Sequence, residues 1–152
     1  MITVEEIYEQ CMEELKRVDH LIYVSLKYTR TCDVFKNVIR RMIEAIDFSL
    51  TALCKKLEQE KKITEVPQAA KPKCELLKQY HNDEKIVELV DFYLFLRQID
   101  RAEFSRSSEF RRHVAMSCVV EGEEIMINID IITAYYKKIR GLIEHIGELL
   151  SV

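Results

Sequence analysis

The stretch DRAEFSRSSEFRRHVAMSCVVEGEEIMINID, residues 100–130, is where the sequence pattern changes from helical to extended. Its second half alternates apolar and other residues on both sides of Gly122, which predicts two short strands joined by a tight turn. A two-stranded hairpin is marginal on its own in water, so we expect its apolar face to pack on the helices or on a second copy of the chain. The residues on this face are Val114, Met116, Cys118, Val120, Ile125, Ile127 and Ile129.

The first half of the stretch has a different character. Residues 101–112 are rich in arginine and serine and show no apolar periodicity, which predicts a loop. After the hairpin, Asp130 is the expected N-cap of a last helix that runs to the end of the sequence.

Most of the remaining chain repeats apolar residues every three or four positions, which is typical of helices. A first helix begins behind Thr3, which forms a capping box with Glu6, and runs to about Lys27. A second helix starts where residues 29–33 offer capping side chains and runs to roughly Lys61. These two helices are expected to form an antiparallel pair.

Residues 64–73 are the only linker-like segment. Pro72 suits the first turn of a short helix that ends near His81. A fourth helix then extends from about Ile86 to Arg101 and is apolar nearly all round, which predicts a central position or an interface.

Composition supports one mostly α domain over residues 1–152. The chain is 48% apolar and 32% charged, with only three Gly and two Pro, a balance that favours long helices with a charged outer face. We therefore predict an up-and-down helical bundle of four to five helices, with one β-hairpin inserted before the C-terminal helix. Abundant Lys and Glu with scarce Asn and Gln further predict a thermophilic source.

The charge and the apolar pattern exclude several classes. A net charge of −3 argues against a protein that coats nucleic acid generally. The first 14 residues lack a basic leader with an apolar run, and no stretch reaches the ~20 apolar residues of a membrane span. The expected location is the cytoplasm, without membrane contact.

The cysteines do not predict a metal site. They are widely spaced, without a CxxC pair or a nearby pair of histidines, so we expect no zinc and no cofactor. They are interpreted as small buried apolar residues, while a disulfide stays open as the alternative. They are Cys11, Cys32, Cys54, Cys74 and Cys118.

An arginine cluster is the candidate site. Its five arginines, set against Asp100, Glu103 and Glu109, leave a local formal charge of about +2, which suits one or two phosphates. The alternative is that they form ordinary surface ion pairs with nearby acids. The cluster consists of Arg97, Arg101, Arg106, Arg111 and Arg112, together with His113.

His113 stands where the predicted loop becomes a strand. A histidine there can act as an acid or a base near neutral pH, or it can be an ordinary strand-edge residue. Arg106 precedes it by seven positions, and Arg140 and His145 form a second pair with a shorter spacing.

These arginine–histidine pairs, with a long antiparallel helix pair and a shorter second pair, resemble the HEPN superfamily of small helical domains. Many HEPN proteins are dimers, and in active members an R-x4-6-H motif from each protomer cleaves RNA without metal. The resemblance implies that Arg106 holds a phosphate and that His113 acts as acid or base. Active members usually carry a polar Asn, Asp or His after the arginine, where this chain has Ser107 and Gly141.

Three functions follow as hypotheses. The first is a homodimeric, HEPN-like interaction module, and the second is a metal-independent ribonuclease that uses Arg106 and His113. The third is RNA or nucleotide-phosphate binding through the arginine-rich loop, with Arg97, Arg101, Arg111 and Arg112 as the phosphate ligands. The candidate partners are a second copy of the chain, RNA and a nucleotidyltransferase-like protein.

Overall fold

The computed structural model describes residues 2–152, and the chain over this range is mostly helical with one small sheet. The predicted helical class is confirmed. The helices are α1 (Val4–His20, continued by a π-helical segment at Leu21–Ser25 and a last turn at Leu26–Tyr28), α2 (Cys32–Gln59), α3 (Ala70–Tyr80), α4 (Glu84–Arg101) and α5 (Ile129–Leu150). The strands are β1 (Phe104–Ser107), β2 (Ala115–Val120) and β3 (Glu123–Ile127).

Side-chain caps set the helix starts close to where the sequence predicts them. The Thr3 hydroxyl accepts a hydrogen bond from the Glu6 amide at 3.1 Å, and Thr31 caps α2 in the same way. Pro72 lies in the first turn of α3, as predicted. The last helix is different, because the side chain of Asn128 accepts from the Ile131 amide. The prediction of Asp130 as the cap was therefore wrong by two residues.

Helix α2 is the centre of the packing. One stripe of α2 is buried along its whole length, and α1, α3, α4 and α5 all pack against it. Helix α4 is buried on several sides, as its apolar composition predicts. Buried apolar side chains from the helices and from the sheet form one core.

The predicted hairpin is present, with antiparallel pairing of β2 and β3 and a turn at residues 121–122. Glu121 and Gly122 both have positive φ, which gives the tight turn a hairpin needs. Val114, Met116 and Ile127 are fully buried, so the apolar face packs on helices of the same chain. Ile129 begins α5 and is not part of the strand.

The prediction of an uninterrupted loop over residues 101–112 was wrong. Phe104–Ser107 forms β1, which pairs antiparallel with β2 and places Arg106 opposite Met116. The order of the sheet is β1-β2-β3, so the hairpin is part of a three-stranded sheet. The strand was missed because only Phe104 of its four residues is apolar, and polar side chains are usual on an edge strand.

No helix within residues 2–152 combines the length and the apolar character that crossing a bilayer requires.

Candidate functional site

Helices α2 and α4 pack side by side and leave an open cleft of about 510 Å³ between them. Four arginines line it, and we call it the arginine cleft. Arg40 and Arg41 come from α2, while Arg97 and Arg101 lie four residues apart near the end of α4. Residues with this spacing lie on one helical face, so both α4 arginines point to the same side.

Acidic side chains neutralise only part of this cleft. Glu44 and Asp100 are the carboxylates that line it, so the formal charge of the lining is +2. Asp100 pairs with Arg40 at 3.0 Å and with Lys36 at 3.1 Å. Burial alone would raise the pKa of Asp100, but hydrogen bonds from Lys36 and Arg40 outweigh it and hold that pKa below its ordinary value. Asp100 is therefore a fixed anion that engages one of the four arginines.

The other three arginines of the cleft differ in whether they contact a carboxylate. Arg41 lies 3.4 Å from a Glu14 oxygen, and Glu14 also pairs with Arg17. The Arg97 guanidinium lies over the Tyr93 ring at 5.6 Å. Within residues 2–152, neither Arg97 nor Arg101 forms an ion pair with a carboxylate. These two guanidinium groups are the ones available to an external anion.

Arg106 lies on β1 and is already paired. It contacts Asp33 at 2.9 Å and Glu109 at 3.4 Å, and its guanidinium lies over the Phe104 ring at 5.0 Å. The hydrogen bond from Arg106 lowers the pKa of Asp33. Two carboxylates thus balance the charge of Arg106, which agrees with the ion-pair interpretation for this residue.

Residues 108–113, which we call the arginine loop, are fastened to the start of α2. The Phe110 amide donates to the Arg30 carbonyl at 2.6 Å, and Glu109 accepts from the Cys32 amide at 3.1 Å. The Phe110 side chain is 74% exposed, and its φ of 63° is unfavourable for a bulky residue. Tyr28, two residues before Arg30, is 79% exposed. The loop therefore carries the exposed Phe110 ring directly before Arg111 and Arg112, which are also exposed, and it is fastened near the exposed Tyr28.

The surroundings of His113 differ from those of Arg106. It lines a depression of about 550 Å³ with Arg112, Asn128 and Asp130, and Arg106 is not part of that lining. Among the residues that line the clefts described in this chain, Arg106 and His113 do not share one. Their joint role in catalysis stays a prediction.

The side chains of the second arginine–histidine pair, Arg140 and His145, contact different neighbours. Arg140 lies over the Tyr136 ring at 5.4 Å, and His145 Nε2 lies 2.8 Å from the Oδ2 atom of Asp83, the N-cap of α4. His145 thus connects α5 to the start of α4.

The structure divides the predicted arginine cluster. Arg97 and Arg101 are in the arginine cleft, Arg111 and Arg112 are on the arginine loop, and Arg106 on β1 pairs with Asp33 and Glu109. Arg40 and Arg41 were not among the predicted site residues, because they lie outside the apolar stripe that identifies α2 as a helix. Two adjacent arginines beside that stripe were the available signal.

Metal-ligating residues do not cluster in residues 2–152, where no group of three or more His, Cys, Asp or Glu is placed to hold an ion. All five cysteines are buried and free of disulfides. Burial raises the pKa of Cys11 and of Cys54 to about 12. These thiols are therefore protonated at neutral pH and weak as nucleophiles.

Comparison of the chain with known protein families, with curated proteins and with solved structures finds no match. The HEPN resemblance therefore stays an expectation, and the function is argued from the site itself.

Proposed function

We propose that this chain binds single-stranded RNA through the arginine cleft and the arginine loop, without cleaving it. The observation that carries the proposal is the convergence of Arg40, Arg41, Arg97 and Arg101 on one cleft. Guanidinium groups match phosphate oxygens in geometry and keep their charge at every physiological pH. The net charge of −3 limits this attraction to the cleft and the loop.

The arginine loop supports a single strand as the ligand. Exposed aromatic rings beside cationic side chains are the usual means of stacking unpaired bases, and each stacked base contributes about 1 to 3 kcal/mol. Asp33, which pairs with Arg106 beside the loop, precedes Arg40 by seven residues of α2, or about 10 Å along the axis. The loop and the cleft thus both lie along the first half of α2, and we infer that one strand can contact them together.

The proposal is binding without cleavage because of how the predicted catalytic pair is placed. The charge of Arg106 is balanced by Asp33 and Glu109, and His113 lines a separate depression. A phosphate held by Arg97 and Arg101 would therefore meet no histidine among the residues that line the arginine cleft. RNA cleavage in EDTA that is lost in both Arg106→Ala and His113→Ala would favour the ribonuclease hypothesis instead.

The homodimeric module stays a separate hypothesis. Two features predicted it, the apolar hairpin face and the apolar α4, and both are buried by helices of the same chain. Light scattering at micromolar concentration tests it, since a dimer has twice the 18.0 kDa mass of the chain.

We also propose an up-and-down order for the helices, because short connections such as residues 29–31 and 81–83 usually join antiparallel neighbours.

The test is fluorescence anisotropy with a labelled oligouridine of about 15 nucleotides, near the upper end of known single-strand site sizes. We expect the wild type to bind it and Arg97→Glu/Arg101→Glu to lose at least about tenfold in affinity, because two phosphate contacts become repulsive.

The matched control is Lys71→Glu/Lys137→Glu, which changes the net charge equally at exposed positions outside the cleft. Equal losses of RNA affinity in the two double variants would show that only the net charge of the protein matters, which would contradict the proposed site. Intact RNA after incubation supports binding without cleavage.

A further inference from the structure

A second cleft, of about 640 Å³, lies between α1, α2, α3 and the linker that precedes α3. Lys73 lies on its floor with only 3% of the residue exposed. The Lys73 ammonium donates to Asp47 Oδ1 at 3.0 Å and to the Thr51 hydroxyl at 2.8 Å. A buried lysine of this kind needs a hydrogen-bond acceptor for each of its protons.

The hydrogen bonds on this floor are incomplete. An ammonium has three donors, and the residues described in this chain supply acceptors for two of them. The Oδ1 atom of Asp47 also accepts from the Tyr93 hydroxyl at 2.9 Å, whereas Oδ2 accepts from no group within residues 2–152. The Asp47 side chain is 38% exposed. One unused donor on the floor and one solvent-accessible acceptor of the same ion pair thus lie close together.

The charge of the cleft disfavours an anionic ligand. Lys55 and Lys73 are opposed by Asp47, Glu58 and Glu65, which leaves a formal charge of −1. Lys55 and Glu58 also pair with each other at 2.7 Å. The arginine cleft has the opposite balance, so the two clefts suit ligands of different chemistry.

The walls of this cleft suit a ligand with a flat apolar face. Five apolar side chains line it, one from the segment before α1 and the others from α1, from α2 and from the linker. Aromatic and aliphatic walls with a few convergent polar groups are typical of small-molecule sites. These five residues are Ile2, Ile7, Phe48, Val66 and Pro67.

We propose that this second cleft binds a small, neutral, planar ligand with an amide edge, of the kind found in nucleobases and in nicotinamide. The carbonyl oxygen of the ligand accepts the remaining proton of Lys73, and its N–H group donates to Asp47 Oδ2. The ring packs against the apolar walls. The ion pair is then part of a recognition site as well as a link between α2 and α3.

The test is a protein-observed NMR titration of the full chain with uracil and with nicotinamide at millimolar concentration, against acetate and inorganic phosphate. We expect the two amides to shift the resonances of Thr51 and Gln68, which line the cleft, and the two anions to leave them in place. Failure of both amides to shift these resonances overturns the proposal, since water then completes the hydrogen bonds of Lys73. Preferential shifts by either anion overturn it as well.

Two variants separate recognition from folding. Lys73→Met/Asp47→Leu removes both polar partners of the ligand, and because it also leaves the buried Tyr93 hydroxyl without its acceptor, its free energy of unfolding is measured beside its binding. Asp47→Asn keeps the volume and replaces a carboxylate oxygen with a donor. Both are expected to weaken amide binding by at least about tenfold.

The control is Lys78→Gln/Asp91→Asn, which removes a charged pair outside the cleft and is expected to leave amide binding unchanged. Undiminished amide binding in Asp47→Asn contradicts the proposal, whatever the stability of the double variant.

Discussion

At the scale of single residues, Phe110 combines an unfavourable backbone conformation with an exposed side chain, and neither feature stabilises the fold. Its φ of 63° lies in the left-handed region, and the exposed ring gains little from burial. Strained backbone that persists without a packing gain is found most often at functional sites. We interpret Phe110 as a base-stacking residue.

Phe110→Gly tests this interpretation. Relief of the left-handed strain, about 1 to 2 kcal/mol, offsets the greater chain entropy of glycine, about 0.5 to 1 kcal/mol. The free energy of unfolding in urea is therefore expected to stay close to the wild-type value or to rise. RNA affinity is expected to fall by about 1 to 3 kcal/mol. An unchanged RNA affinity would refute the stacking role. The control is Val119→Gly, which removes an exposed apolar side chain from β2 and should leave the RNA affinity unchanged.

Asp83 is expected to make stability depend on pH. Burial would raise the pKa of Asp83, but the bond with His145 and the amides of Lys85 and Ile86 outweigh burial and lower that pKa. A lowered pKa stabilises the fold above the unfolded-state pKa of about 3.9, and this contribution is lost as pH falls through the folded-state value.

Asp83→Asn keeps a good N-cap but removes the charge. Its free energy of unfolding is expected to lie below that of the wild type at neutral pH and to converge with it in acid, as measured by urea unfolding across pH. A difference that is constant with pH would contradict this account.

At the scale of elements, the sequence predicted the helices and the hairpin well, because their apolar periodicity is strong. Pro72 and Thr3 marked helix starts through local chemistry that needs no tertiary information. Strand β1 was missed since its pairing partner, and not its own composition, makes it a strand. The same limit applies to the site: Arg40 and Arg97 are 57 residues apart, and only the packing of α2 on α4 brings them together.

Helix α5 offers a matched pair of glycines. A Cβ added at Gly141 meets no atom within 4 Å, whereas one added at Gly147 would overlap the Tyr8 hydroxyl, which donates to the Ile143 carbonyl. Gly141→Ala is therefore expected to raise the free energy of unfolding by about 0.5 to 1 kcal/mol through helix propensity. Gly147→Ala is expected to gain less or to lose stability. Equal gains in urea unfolding would show that Tyr8 does not restrict this position.

At the scale of the whole molecule, charge is distributed unevenly over a negative protein. The arginine cleft carries +2 and the second cleft carries −1, although the chain as a whole carries −3. Tyr93 links the two clefts, because its ring lies under Arg97 and its hydroxyl donates to Asp47. The buried side chain of Tyr93 therefore helps to position Arg97 in the arginine cleft and Asp47 in the second cleft.

The salt dependence of RNA binding tests the central claim most directly. If two to four arginines neutralise phosphates of a single strand, the logarithm of the association constant falls against the logarithm of salt concentration with a slope of about −1.4 to −2.8. Anisotropy titrations with the labelled oligouridine between about 50 and 200 mM salt give this slope. We predict a slope in that range for the wild type and a shallower one for Arg97→Glu/Arg101→Glu. Wild-type binding that does not change with salt, or no binding at the lowest salt, would contradict RNA binding through the arginine cleft.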